Sequence, residues 1–273
     1  MVSTEYLAKE INFDVSNKKL LEEIINYGLN LGADFVEIFL ENTDNISVLV
    51  EEDFITSVSP SFGKGAGIRI FKDKRDGFVS TNDLSKDGLI KSVSQAVQML
   101  DITETSSNGK FQGLEDLRNY SKRKNDWLKN LPLVDEIGEK LLLSTASLKK
   151  DPKVNIRKSS YARNWQQVLI ASSDGTFAKD IRLHQTVGLN LIATDRQYRS
   201  SGSRRFGSSD NPNDLRNWDY ENASNEVLES SMNMLYADYV EACQKPVVLA
   251  NKFGGVIFHE ACGHLLETTQ IER

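Results

Sequence analysis

Three histidines occur among the 273 residues, and two of them fall in one short stretch, residues 253–267, which reads FGGVIFHEACGHLLE. His259 and His264 lie five positions apart, and Glu260 follows the first directly. A neutral imidazole is a common zinc ligand, alongside thiolate and carboxylate. A carboxylate next to one ligand is placed to act as general base toward a water held at the ion. This grouping therefore points to metal-assisted hydrolysis, with His259 and His264 as zinc ligands and Glu260 as the catalytic base. The apolar run Val256, Ile257 and Phe258 is expected to anchor the helix that carries them in a core.

The spacing imposes a condition. The familiar zinc helix carries HExxH, whose histidines four apart share one face. Five residues of a regular α-helix turn through about 500°, which leaves the two side chains about 140° apart. One ion cannot bridge them unless the helix is distorted. A π-type turn, with its i→i+5 pairing, brings such positions nearly into line. Gly263 is compatible with that distortion, so the function predicts a π turn over residues 260–264.

Other chemistry-bearing residues have plainer readings. Cys262, three after His259, and Cys243, at the end of a helix, read as small packed residues. His184 lies in a strand region far from the motif. The glycines at 63, 65 and 67 (GKGAG) lack the Walker pattern and precede a strand, so they read as a turn rather than a phosphate cradle. Lys122, Arg123 and Lys124 read as a solvated boundary. Arg196, Arg199, Arg204 and Arg205, with Tyr198 and Phe206, fit either of two roles. Arg199, Arg204 and Arg205 could line a groove for peptide carboxylates or carbonyls, or the group could guard an exposed edge strand.

The elements that must position the motif follow from periodicity. Residues 18–31 carry Leu20, Leu21, Ile24, Ile25, Leu29 and Leu31 at helical spacing, with Gly32 as the terminating residue. Strands are expected at 34–41 and 46–52 around a turn at 42–45, then at 66–72 and 77–80. An amphipathic helix follows at 84–100. The polar stretch 101–125 is a candidate domain boundary, and 133–148 reads as a helix. From 154 to 206 the period becomes two: strands at 154–163, 165–172, 176–181, 185–194 and 197–205 make a meander, with Ser173-Asp174-Gly175 as a hairpin signal. A loop at 207–218, a long helix at 220–242, a strand at 246–250 and a helix at 255–266 complete the chain. The fold class is α+β. The expected domains are an N-terminal helix and antiparallel-sheet unit (1–121), a central meander with a long helix (122–240), and the start of a C-terminal catalytic domain (241–273).

Composition sets outer bounds. Apolar residues make up 39% and charged residues 26%, as in a soluble globular protein. No stretch approaches the roughly 18 apolar residues of a membrane helix. The first residues lack the apolar core of a secretory signal, and two cysteines are too few for a disulfide scaffold, so the expected location is cytoplasmic. A net charge of −6 argues against a general nucleic-acid binder.

The stretch FHEACGHLLE resembles the FHEAxGHxLE signature of the TldD/PmbA family, and specifically its TldD branch. GADFVEIFLE, GKGAGIRIF followed by DGFVST, ASSDGT, and the long helix before PVVLA are similar to that family across essentially the whole chain. The PmbA branch resembles TldD in fold but lacks the metal motif. The resemblance implies a cytoplasmic zinc metallopeptidase acting on small or unfolded peptides, dimeric with itself or with a PmbA-type partner. It matches His259 and His264 to zinc ligands and Glu260 to the catalytic glutamate. It also implies a third protein ligand, a cysteine, in a region beyond residue 273, so this chain is expected to be the front part of such a protein and to bind zinc weakly by itself. The alternative is a non-catalytic peptide-binding or assembly subunit that holds peptides by strand addition.

Overall fold

Leu21, Ile24, Ile25 and Leu29 recur at three- and four-residue steps and are buried on one side of α1 (Lys18–Asn30). The helix stops at Gly32, whose φ of 98° suits a residue without Cβ. The Gly32 N–H donates to the Leu29 carbonyl at 2.9 Å and the Ala33 N–H to that of Gly28 at 3.2 Å, the paired bonds of a Schellman cap. The structure is a computed structural model and describes residues 18–102, 110–121, 131, 134–209 and 211–267. The chain divides into two units, Met1–Tyr236 and Ala237–Arg273.

The first unit is built on one seven-stranded sheet. Its strands are β1 (Phe35–Glu51), β2 (Phe54–Lys72), β3 (Arg75–Thr81), the two-residue β4 (Arg118–Asn119), β5 (Val154–Ser172), β6 (Phe177–Asp195) and β7 (Tyr198–Ser208). The order is β3-β2-β1-β5-β6, all antiparallel. On its outer side β6 takes β4 in parallel at one end and β7 antiparallel at the other. One sheet thus joins the segments on either side of the polar stretch 101–125.

Burial alternates along β1, and the even-numbered residues face inward. Val36, Ile38 and Leu40 meet α1 and α2 (Lys86–Met99) in one apolar cluster. Ile46, Val48 and Val50 meet α3 (Val134–Ser147) and α4 (Tyr220–Leu235) in a second. Both helix pairs therefore cover the same face of the sheet. Of the odd-numbered positions Ser47 is exposed and the rest, among them Phe39, Glu41, Thr43 and Asn45, are half-buried. Ser85 caps α2, its hydroxyl accepting the Gly88 N–H at 3.1 Å.

Several expected breaks are continuous strand. The turn expected at 42–45 is the middle of β1, where Asn42 pairs with Lys64 and Gln167, and Asp44 with Phe62 and Trp165. Residues with turn composition are held extended there because ladders on both sides satisfy their backbone. The glycines at 63, 65 and 67 likewise lie inside β2. A Cβ on Gly67 would come within 2.9 Å of the Phe78 ring, so the absent side chain makes room for a neighbour rather than for a turn. The four strands expected between 154 and 194 are two, with Asn164 mid-ladder between Asn45 and His184. The meander thus has three long strands instead of five short ones. The hairpin turns carry positive φ at Glu52, Asp73, Gly175 and Arg196, and the turn expected at Ser173-Asp174-Gly175 is formed.

The helix expected over 220–242 ends at Leu235. Beyond its end the Tyr236 hydroxyl donates to Asp195 Oδ2 at 2.6 Å and meets the Lys153 ammonium.

In the second unit, residues 237–250 form neither helix nor strand, so the strand expected at 246–250 is not formed. A strand requires a ladder partner, and among the described residues none pairs with these; Val247 and Val248 are exposed. Helix α5 (Asn251–Phe258) follows, then a π turn (His259–Gly263) and a 3₁₀ turn (His264–Leu266). Val256, Ile257 and Phe258 are exposed, not in a core as the sequence led us to expect. An apolar run is buried only where another layer meets it.

Candidate metal centre

The distortion that the His259–His264 spacing demands is present. The backbone N–H of His264 donates to the carbonyl of His259, the i→i+5 bond of a π turn, over residues His259–Gly263. The extra residue in the ring carries His264 round to the side of His259. Their ring centroids lie 4.7 Å apart with the rings at 68°. A Cβ on Gly263 would sit 3.4 Å from His259 Nδ1, an ordinary contact, so this glycine eases the turn but is not sterically required by the ring.

Glu260 joins the pair. Its Oε2 lies 3.5 Å from His264 Nε2, and ligand atoms of His259, Glu260 and His264 all fall within 4.8 Å of one another. Two donors on a tetrahedral ion with bonds of about 2.1 Å are about 3.4 Å apart, so small side-chain rotations separate this grouping from a closed site. Two imidazole nitrogens and a carboxylate suit zinc as a donor set. On a bound zinc ion the two imidazoles would be two of the three protein ligands typical of a catalytic site, which would leave the carboxylate available as a base.

Glu267 was not singled out from the sequence. Its Oε1 lies 2.7 Å from His264 Nδ1. The signal was available: His264 and Glu267 stand at i and i+3, and on a 3₁₀ turn such positions eclipse.

The remaining candidates lie elsewhere. Cys243 and Cys262 are both exposed, against the packed positions expected for them. Cys262 is not part of the metal-competent group. His184 sits on β6 opposite Asn164. The arginines of β7 do not form one wall. Ser200 and Gly202 face α4, and Arg204 on the same side pairs with Glu226 at 3.3 Å. Arg199 and Arg205, at odd-numbered positions, alternate to the other face.

Residues 36–100 match the family model for domain 1 of the PmbA/TldA metallopeptidases, and residues 129–235 match the model for their central domain. The metal grouping lies outside both matches. The chain is 24% identical over 254 residues to a metalloprotease TldD homolog of Buchnera aphidicola, covering 90% of this chain and 51% of that protein. It is 22% identical over 253 residues to a metalloprotease of Methanocaldococcus jannaschii, covering 92% and 54%. The chain thus spans about half the length of the curated relatives it matches. Among solved structures, TldE from Thermococcus kodakarensis superposes with a TM-score of 0.56 at 18% identity, over 78% of this chain and 47% of that one. A Bacteroides thetaiotaomicron protein described as a modulator of DNA gyrase gives 0.64 at 18% identity, over 83% and 52%. The folds agree, the two family models together cover more than half of the sequence, and the chain belongs to the PmbA/TldD metallopeptidase family.

Proposed function

We propose that this chain provides the metal-binding segment of a zinc-dependent peptidase of the TldD type that cleaves small or unfolded peptides. The π turn carries this reading: it turns a spacing unsuited to metal binding on an α-helix into two converging imidazoles with a carboxylate beside them. His259 and His264 would hold the ion. A bound divalent ion supplies Lewis acidity and makes water an effective nucleophile near neutral pH. Glu260 accepts a proton from the attacking water and returns it to the departing amine. A third protein ligand is expected from outside the group, so zinc affinity of this chain alone is weak. The working assembly is a dimer, with itself or with a PmbA-type partner, in the cytoplasm.

The test is metal content and cleavage of an unstructured peptide, for this chain alone and with a PmbA-type partner. Glu260→Gln should keep the metal and lose cleavage, whereas His259→Ala should lose both. Equal cleavage by Glu260→Gln would remove Glu260 from the chemistry. Peptide binding without metal in any preparation would favour the non-catalytic subunit.

A further inference from the structure

We propose that Glu267 is a positioning residue that fixes the ring of His264, so that Nδ1 carries the proton and Nε2 is left as the ligating nitrogen. This deepens the reading above and rests on it.

The argument begins with hydrogen-bond sense. A carboxylate oxygen only accepts, so the 2.7 Å contact between Glu267 Oε1 and His264 Nδ1 requires Nδ1 to donate. A neutral imidazole has one N–H, so its lone pair then lies on Nε2. Nε2 is the atom that faces Glu260, at 3.5 Å, on the side where the donor group converges. The two contacts fall on opposite edges of one ring: Glu267 holds the outer edge, and the inner edge is left for an ion. Neutral histidine free in water favours the reverse tautomer, with the proton on Nε2, so the carboxylate has a preference to overturn. The ring is half exposed, and among the described residues its contacts are the His259 ring at 4.7 Å, Glu260 at 3.5 Å and this hydrogen bond, the shortest and most directional of the three. The local backbone supplies the placement. The π turn ends at Gly263, a 3₁₀ turn begins at His264, and the three-residue step to Glu267, which caps that turn, brings its carboxylate to the Nδ1 edge of the imidazole. Carboxylates in this role, behind a ligating histidine, fix both tautomer and ring direction.

The experiment uses the whole chain labelled with ¹⁵N at histidine. With three histidines, long-range ¹⁵N–¹H correlations assign each ring tautomer, and His264→Gln identifies the signal. The measurement is made without metal, well above the ordinary imidazole pKa of about 6.5. In the wild type His264 should be the Nδ1–H tautomer. Glu267→Ala should move it to Nε2–H, and Glu267→Gln, whose amide oxygen still accepts, should retain Nδ1–H. An unchanged His184 signal verifies that the sheet is folded. A wild-type His264 already in the Nε2–H form, or one indifferent to Glu267→Ala, overturns the proposal. In a parallel zinc titration Glu267→Ala should weaken affinity about 10- to 100-fold. Equal zinc affinity in wild type and Glu267→Ala also overturns it. If the wild type takes up no zinc either alone or with a PmbA-type partner, the peptidase reading fails while the tautomer result still decides the role of Glu267.

Discussion

The Asp44 carboxylate accepts a hydrogen bond from Arg163 at 2.9 Å, and the pair is buried mid-sheet between the two apolar clusters. Neighbouring strands supply the two charges, β1 the acid and β5 the base. Burying both is costly, and their attraction offsets that cost only while both are present. Asp44→Ala should therefore destabilise the first unit by about 3–5 kcal/mol. Replacing both at once, with Asp44→Leu and Arg163→Met, should be close to neutral. Urea unfolding followed by circular dichroism checks both, and a single substitution costing no more than the double one would refute the account.

Gly202 on β7 faces α4 closely: a Cβ there would lie 2.4 Å from the Val227 carbonyl oxygen and 3.0 Å from Ser231 Cβ. Backbone on the helix must move to admit it. Gly202→Ala should cost about 1–3 kcal/mol, whereas Gly207→Ala, with nothing nearer than 3.5 Å, should cost far less. Comparing the two thermal midpoints tests this.

Ser85→Ala removes the side-chain acceptor at the start of α2 and should cost about 1 kcal/mol, with Ser85→Gly costing only a few tenths. Denaturant midpoints in the reverse order would show that the hydroxyl does not cap.

Burial pushes the Tyr161 hydroxyl up from 10.0 to about 12, and Tyr220 is raised by the same cause. The unfolded chain releases these protons first, so the native state binds more protons above pH 10. Stability is accordingly full below pH 10 and declines between pH 10 and about 12. Tyr161→Phe should flatten that decline while losing the 3.0 Å hydrogen bond to Gln185. Urea midpoints measured across this range, for both proteins, decide it.

The two ends of the sheet were legible in the sequence because their information is local. Leu21 to Leu29 repeat at helical steps, and Gly32 ends the helix in its own backbone. The centre was not legible. Asn42, Asp44 and Asn164 have turn composition, and what keeps them extended is a set of ladder partners up to 125 residues away. The same holds in reverse at Val247 and Val248, whose β-branched pattern asks for a neighbouring strand that is not paired with them. The metal grouping was legible for the opposite reason: the spacing of His259 and His264 allows one useful backbone, and that backbone is a single turn. Glu267 lies one residue past the helix read over 255–266, and the i,i+3 step that brings it to His264 spans that boundary.

Since every residue of β1 is committed to one side or the other, its length is less negotiable than its composition. Adding or deleting one position near Thr43 would exchange the two sides from there to the end of the strand, driving Ser47 and Leu49 under the helices and Val48 out. Natural insertions should accordingly gather at residues 52–53 and 73–74, where the chain reverses, and spare the ladders between.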